Sequence, residues 1–200
     1  MKLAIMQPYL FPYVGYFQLL NEVDKFVFYD DVNFRKQGWI NRNSIVTSNG
    51  SFVFTVPLEQ ISSFTLINET FIDLKKYPFW KKKFFKTIEQ AYSSAPFYKD
   101  VIVILKNVFD VQKKMTISEM AKHSIVEVAN YLNCETIIQD SSTIYKNSHL
   151  SSQDRVLDIC LKEKAKVYIN PIGGMDLYNV QVFQERDLKL KFLEIGRAHV

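Results

Sequence analysis

Among 200 residues the chain has only two cysteines, Cys134 and Cys160, far apart and in no CxxC or Cys/His spacing. That excludes a disulfide scaffold and leaves two buried free thiols in a reducing compartment as the plain reading. The three histidines form no pair and no HExxH string, so a zinc site is not expected, and no metal is assigned. Six glycines and six prolines exclude collagen-like and low-complexity sequence. No apolar run reaches the ~18 residues of a membrane-spanning helix. The opening Met1–Met6 stretch is too short for a signal peptide before Gln7-Pro8, so the protein is read as cytoplasmic. Charge of neither sign dominates: 25 Lys and Arg against 21 Asp and Glu leave +4, which by itself names no nucleic-acid or membrane partner.

What the chain does have is aromatic side chains, 16 Phe, 11 Tyr and 2 Trp, in a composition that is 48% hydrophobic. That is ample material for one sizeable core. The apolar run Lys2–Met6 reads as a strand buried on both faces, Val14–Val23 as a helix, and Phe26–Tyr29 as a second strand. Strand, helix and strand within thirty residues make a βαβ unit. Ser44–Thr47 and Phe52–Val56 flank Asn49-Gly50, a hairpin signal. Residues 59–76 read as a loop with one more strand. Helices are expected after Pro78 and Pro96, after the Thr116/Glu119 capping-box spacing, and after the same spacing at Ser151/Asp154. Glu135–Gln139, Lys166–Ile169 and Leu188–Leu193 complete the strands. The fold expected is α/β, a mostly parallel Rossmann-like sheet with an inserted β-hairpin and a helical segment.

In such sheets ligands sit outside the carboxyl ends of the strands. Four segments are therefore candidate rims of one site: Gln7–Tyr16, Asp30–Asn43, Asp140–Ser142 and Asn170–Tyr178. In the first, Gly15 at a helix start lets an anion approach backbone amides, and Tyr13 and Tyr16 offer hydroxyls and stacking faces. Tyr13-x-Gly15-Tyr16 loosely echoes the His-x-Gly-His loop of nucleotidyltransferases, with tyrosines for histidines. The alternative is an aromatic loop packed on the sheet. In the second, Arg35, Lys36 and Arg42 can hold a carboxylate or phosphate, and Trp39 can stack. Asn41 and Asn43 can read sugar hydroxyls, and Asp30 or Asp31 can act as a base. A charged turn leading into a strand is the alternative. In the third group, Asn170, Gly173 and Gly174 follow a strand and allow close backbone approach, although no Walker A or GxGxxG spacing names a nucleotide. An ordinary strand-to-helix turn is the equal alternative there.

Other features carry less. His123 and His149 have no ligating neighbour, and no GxSxG string or Ser/His/Asp spacing is present. Asp154 and Arg155 read as a helix cap and a surface charge, although a cation at a helix start slightly raises a binding role. Six lysines between Lys75 and Lys86, interleaved with Phe79, Trp80, Phe84 and Phe85, read as a solvated helix face over a core stripe. They also allow a minority reading as a surface for anionic lipid or nucleic acid.

With these residues in view, the chain resembles the WbqC-like family. The resemblance rests on Gln7–Leu19, Phe28–Val32, Gly38–Asn43 and Tyr168–Gly174. It implies a bacterial protein of O-antigen or other surface-polysaccharide biosynthesis, with transfer of glycine, another amino acid or an acyl group to a sugar as the suggested activity. On that reading Asp30 or Asp31 deprotonates an acceptor, while Gln7, Tyr13, Gly15, Tyr16, Arg35, Lys36, Trp39, Asn41, Arg42, Asn43, Asn170, Gly173 and Gly174 bind substrate. The expected partner is a small molecule, a sugar or nucleotide sugar, with peripheral membrane contact as a further option and nucleic acid not expected. No cofactor is named. The rival classes are a nucleotidyltransferase-like enzyme and a non-catalytic membrane-surface scaffold. Family members usually continue past Leu193 with aromatic and Pro-containing sequence. Here Glu194–Val200 back-translates to GAG ATC GGA AGA GCA CAC GTC, which resembles a common sequencing adapter. The expectation is one domain over 1–194, truncated at its C-terminus, and a non-native tail over 195–200.

Overall fold

A computed structural model describes residues 1–62 and 64–194; the expected tail over 195–200 lies outside the described residues. The chain opens with β1 (Lys2–Met6), whose Leu3 and Ala4 are fully buried, as a strand covered on both faces requires. Helix α1 (Val14–Glu22) buries Tyr16, Phe17, Leu19 and Leu20, and β2 (Lys25–Phe28) returns parallel to β1. The hairpin β3 (Arg42–Thr47) and β4 (Gly50–Thr55) follows, then three helices: α2 (Tyr77–Tyr92), α3 (Tyr98–Val108) and α4 (Ile117–Tyr131). The chain then adds β5 (Ile137–Gln139), α5 (Ser152–Lys162), β6 (Val167–Pro171), the short α6 (Val180–Gln184) and β7 (Lys189–Leu193).

Five strands form one parallel sheet in the order β5-β2-β1-β6-β7, and β3 and β4 form a separate antiparallel pair. This is the α/β architecture expected from the sequence. The order reverses at β1, whose neighbours are β2 on one side and β6 on the other. In doubly wound sheets that reversal marks the crevice where ligands bind.

Packing divides the chain into two compact units. The first comprises Met1–Gln7, Pro12–Asp31 and the described residues 133–194; the second comprises Pro8–Phe11 and Val32–Leu132. Each has its own core. In the first, Leu3, Ile5 and Val27 of the sheet pack with Val156, Leu157 and Ile159 of α5 and with Tyr168 and Phe183. In the second, the aromatic surplus collects around Phe109. Trp80 stacks on Phe84 at 5.3 Å between ring centroids, and Phe84 meets Phe109 edge-on at 5.1 Å. Such pairs contribute about 0.5–1.5 kcal/mol each beyond the area they bury.

Three local expectations are corrected. The hairpin turns at Ser48-Asn49, because Thr47 pairs with Gly50. Gly50 opens β4 at φ 95, a conformation that strains any L side chain. Residues 59–76 form no strand among the described residues. They hold a 3₁₀ turn at Ile67–Glu69 and isolated bridges such as Leu58 with Ile72. The capping box at Thr116 forms in full: Glu119 N donates to Thr116 Oγ1 (3.2 Å), and Thr116 N donates to Glu119 Oε2 (2.6 Å). The same spacing at Ser151/Asp154 forms no such box, since the Ser151 side chain makes no cap hydrogen bond.

Candidate functional site

In the first unit the carboxyl ends of β2 and β5 bring two acids and two hydroxyls together. Asp30 and Asp31 leave β2; Ser141 and Ser142 leave β5. Ser141 Oγ donates to Asp30 Oδ1 at 2.7 Å, and Ser142 Oγ donates to Asp31 Oδ1. Helix α5 supplies the balancing cation. Arg155 Nη2 meets Asp31 Oδ2 at 2.5 Å and Nη1 donates to Asp31 O at 3.2 Å. Its Nε donates to Asn147 Oδ1 at 2.9 Å, and Asn147 Nδ2 passes the chain on to Asp158 Oδ2 at 2.7 Å. The guanidinium also lies 4.7 Å over the ring of Tyr29, whose phenol is pushed up by burial against the opposing pull of Arg155.

Arg155 is therefore corrected from a surface charge to a buried ion-pair partner, 3% exposed. The one sequence signal for it was a cation misplaced at a helix start. Both carboxylate oxygens of Asp31 are engaged, so that group acts first as the counter-charge that makes burial of Arg155 tolerable.

The rim around the β1–β6 reversal is more varied. Tyr13 is half exposed at the start of α1, whose first turn carries no acid and no side-chain cap. Gly15 is buried in that turn. Tyr16 is fully buried and donates its hydroxyl to Gln7 O at 3.0 Å, so it fixes the turn after β1 and presents no face to solvent. After β6, a Cβ on Gly174 would collide with Asn170 Nδ2, so a larger residue there forces the Asn170 side chain to move. Asn170 is itself buried and accepts from Tyr168 Oη at 3.4 Å. Gly173 faces open space, with nothing within 4 Å of a Cβ.

The second unit holds the remaining candidates. Asn41 Nδ2 donates to Val56 O at 3.0 Å, tying the residue before β3 to the residue after β4. Asn43 Nδ2 donates to Leu10 O at 2.9 Å and to Phe11 O at 2.5 Å. Phe11 sits at φ 48, and its amide donates to Ser124 Oγ at 3.0 Å, so Asn43 and Ser124 together hold a left-handed residue in place. The amides of Asn41 and Asn43 thus serve the backbone. Arg35 and Lys36 are exposed, and Gly38 N closes a turn onto Arg35 O at 3.2 Å. Trp39 is 49% exposed, and the Arg42 guanidinium lies 5.3 Å from its ring centroid. Arg42 Nε is buried and has no acceptor, and among the described residues Arg42 makes no ion pair. The two arginines differ sharply: Arg155 is satisfied internally, while Arg42 offers an unused donor beside an exposed indole. No group of three or more His, Cys, Asp or Glu clusters as metal ligands among the described residues.

The strings that shape both sets of residues lie inside a stretch, residues 7–199, that matches the WbqC-like protein family. The chain belongs to the WbqC-like family. It is similar to a Mycobacterium tuberculosis protein named uncharacterized protein Rv1507c, at 27% identity over 194 residues that cover 96% of this chain and 82% of that one. No solved structure matches the chain. Every candidate residue from Gln7 to Gly174 falls within the matched stretch. No helix among the described residues is long and apolar enough to cross a membrane.

Proposed function

We propose that this WbqC-like protein works in bacterial O-antigen or surface-polysaccharide biosynthesis, as a transferase that places glycine, another amino acid or an acyl group on a sugar. In that reaction the carbonyl carbon of an activated acyl donor gains a bond to a sugar hydroxyl or amine. The donor's leaving group departs with its bonding electrons, and the acceptor's proton passes to a base. Asp30 or Asp31 takes that proton in this reading; the bond from Ser141 to Asp30, or that from Ser142 or Arg155 to Asp31, must first give way.

The observation that carries the proposal is Arg42. A guanidinium over an exposed indole, with no ion-pair partner among the described residues, is suited to a planar carboxylate or a phosphate; its Nε lacks an acceptor but is buried, so a ligand reaches that donor only if the side chain shifts. The adjacent Trp39 face suits the apolar side of a sugar ring. A nucleotide sugar supplies both features. The nucleotidyltransferase reading leans on Tyr13-x-Gly15-Tyr16, and it is weakened by the engagement of the Tyr16 hydroxyl with Gln7.

A thermal-shift panel of UDP- and dTDP-sugars, glycine, ATP and CTP, with and without magnesium, tests it. Stabilisation by a nucleotide sugar that disappears in Arg42→Ala is the expected result. A ligand at a hundred times its Kd stabilises by about 2.7 kcal/mol, well within detection. Mass spectrometry of the sugar after incubation with an activated glycine then reads transfer directly. Stabilisation only by a nucleoside triphosphate with magnesium overturns the reading in favour of nucleotidyl transfer.

A further inference from the structure

The geometry points to the outer face of α2 as a docking surface for a membrane that carries anionic headgroups, with Phe79 entering the headgroup region and Lys82, Lys83 and Lys86 lying on it. These four residues stand at i, i+3, i+4 and i+7, one side of a helix, and all are exposed. The opposite side of α2 buries Tyr77, Phe84 and Ile88 in the core of the second unit, so the helix is anchored and its outer face is fixed in orientation.

Three observations set this face apart from an ordinary solvated one. Phe79 is 78% exposed, a phenyl ring largely in water at the N-terminal end of the lysine row. Lys82, Lys83 and Lys86 have no ion-pair partner among the described residues, whereas Lys76 pairs with Asp73 and Lys81 with Asp110. Residues 77–86 of α2 also hold four lysines and no acid, and the one acid of the helix is Glu89.

The chemistry favours lipid over nucleic acid. Helix α2 contains no arginine, and lysine is a point charge that attracts a diffuse anionic layer and does not fork around one phosphate. A phenyl ring that is 78% exposed can bury itself among acyl chains. No helix among the described residues is long and apolar enough to span the bilayer, so the mode is interfacial. This inference stands apart from the transfer reading, because it is measured with no substrate present.

The test is co-sedimentation of the 200-residue chain with phosphatidylcholine vesicles, with and without about one third phosphatidylglycerol, at about 0.1 M and about 0.5 M salt. Binding is expected only to the anionic vesicles and is lost at high salt. Each interfacial lysine is worth about fivefold, so Lys82→Gln/Lys83→Gln/Lys86→Gln weakens partition by about a hundredfold. The triple change Lys99→Gln/Lys106→Gln/Lys113→Gln, on exposed lysines elsewhere in the unit, leaves it within a few-fold of the parent. In Phe79→Trp the indole emission shifts to the blue when anionic vesicles are added. Equal loss in both triple variants, or vesicle binding without a blue shift, overturns the proposal. So does an absence of binding to anionic vesicles, and salt-sensitive binding of single-stranded RNA would then reassign the surface.

Discussion

Arg155 and Asp31, 124 residues apart in sequence, meet at 2.5 Å between Nη2 and Oδ2 inside the first unit. The pair ties α5 to the chain leaving β2, and its remaining polar atoms are satisfied by Ser142 and Asn147. Removing one member leaves a buried charge without its partner. Arg155→Met is expected to destabilise by about 3–5 kcal/mol in urea unfolding, and Arg155→Met/Asp31→Leu to recover most of that. Recovered stability with lost activity in the double variant would assign Asp31 a chemical role besides its structural one.

Arg42 shows the opposite behaviour, because its donor is unused in the folded chain. Arg42→Ala is expected to weaken an anionic ligand by about tenfold or more while changing stability by less than about 1 kcal/mol. Trp39→Ala should weaken a sugar-bearing ligand and leave a simple anion nearly unaffected. Calorimetric titration of the wild type and both variants checks the pattern; equal affinities throughout would remove Arg42 from the binding surface.

The paired glycines separate cleanly. Gly174→Ala drives a methyl group into the Asn170 amide and is expected to cost about 1–3 kcal/mol. Gly173→Ala meets nothing and should stay within about 0.5 kcal/mol of wild type. Thermal unfolding of the two single variants reads the difference.

Thiol reactivity follows burial. Cys160 is fully buried, and burial pushes its thiol up to about 12. Cys134 is only partly buried, and its thiol is raised by the same cause. A thiol reagent at neutral pH is expected to label Cys134 first and Cys160 only on unfolding. Prompt labelling of Cys160 in the native protein would show that α5 opens.

Glu163 sets an acid limit. Burial works to raise its carboxyl, but Lys25 Nζ at 2.7 Å and the Tyr145 hydroxyl at 2.5 Å outweigh that and hold it below the usual Glu range. With the folded value below the unfolded one, its stabilisation is complete above about pH 4.3 and is lost as pH falls through the folded value. Glu163→Gln is expected to be less stable than wild type at about pH 7, with the gap narrowing toward about pH 3. Urea midpoints along that range check it.

The framework was legible because it is written in local patterns. Lys2–Met6 is apolar throughout, as a central strand must be, and Thr116 with Glu119 closes a cap within one turn. Elements with weak local signals were missed: α6 is five residues long, and the Ile172–Leu177 turn has no period to detect. The Asn49-Gly50 signal located the hairpin but misplaced its turn by one residue, since register is settled by cross-strand pairing and not by the dipeptide alone.

The sequence by itself determined the sheet, the inserted hairpin and the polar strings at the ends of the strands, because burial periodicity and capping act over a few residues. Only the tertiary structure decided what each polar group does. Asn43 is spent holding Phe11, Tyr16 holds Gln7 and Arg155 neutralises Asp31, whereas Arg42 keeps a donor unused. A charge or an amide carries no local mark of its partner: the partner lies up to 138 residues away, and it is chosen by the need to satisfy each buried polar group where the elements come together.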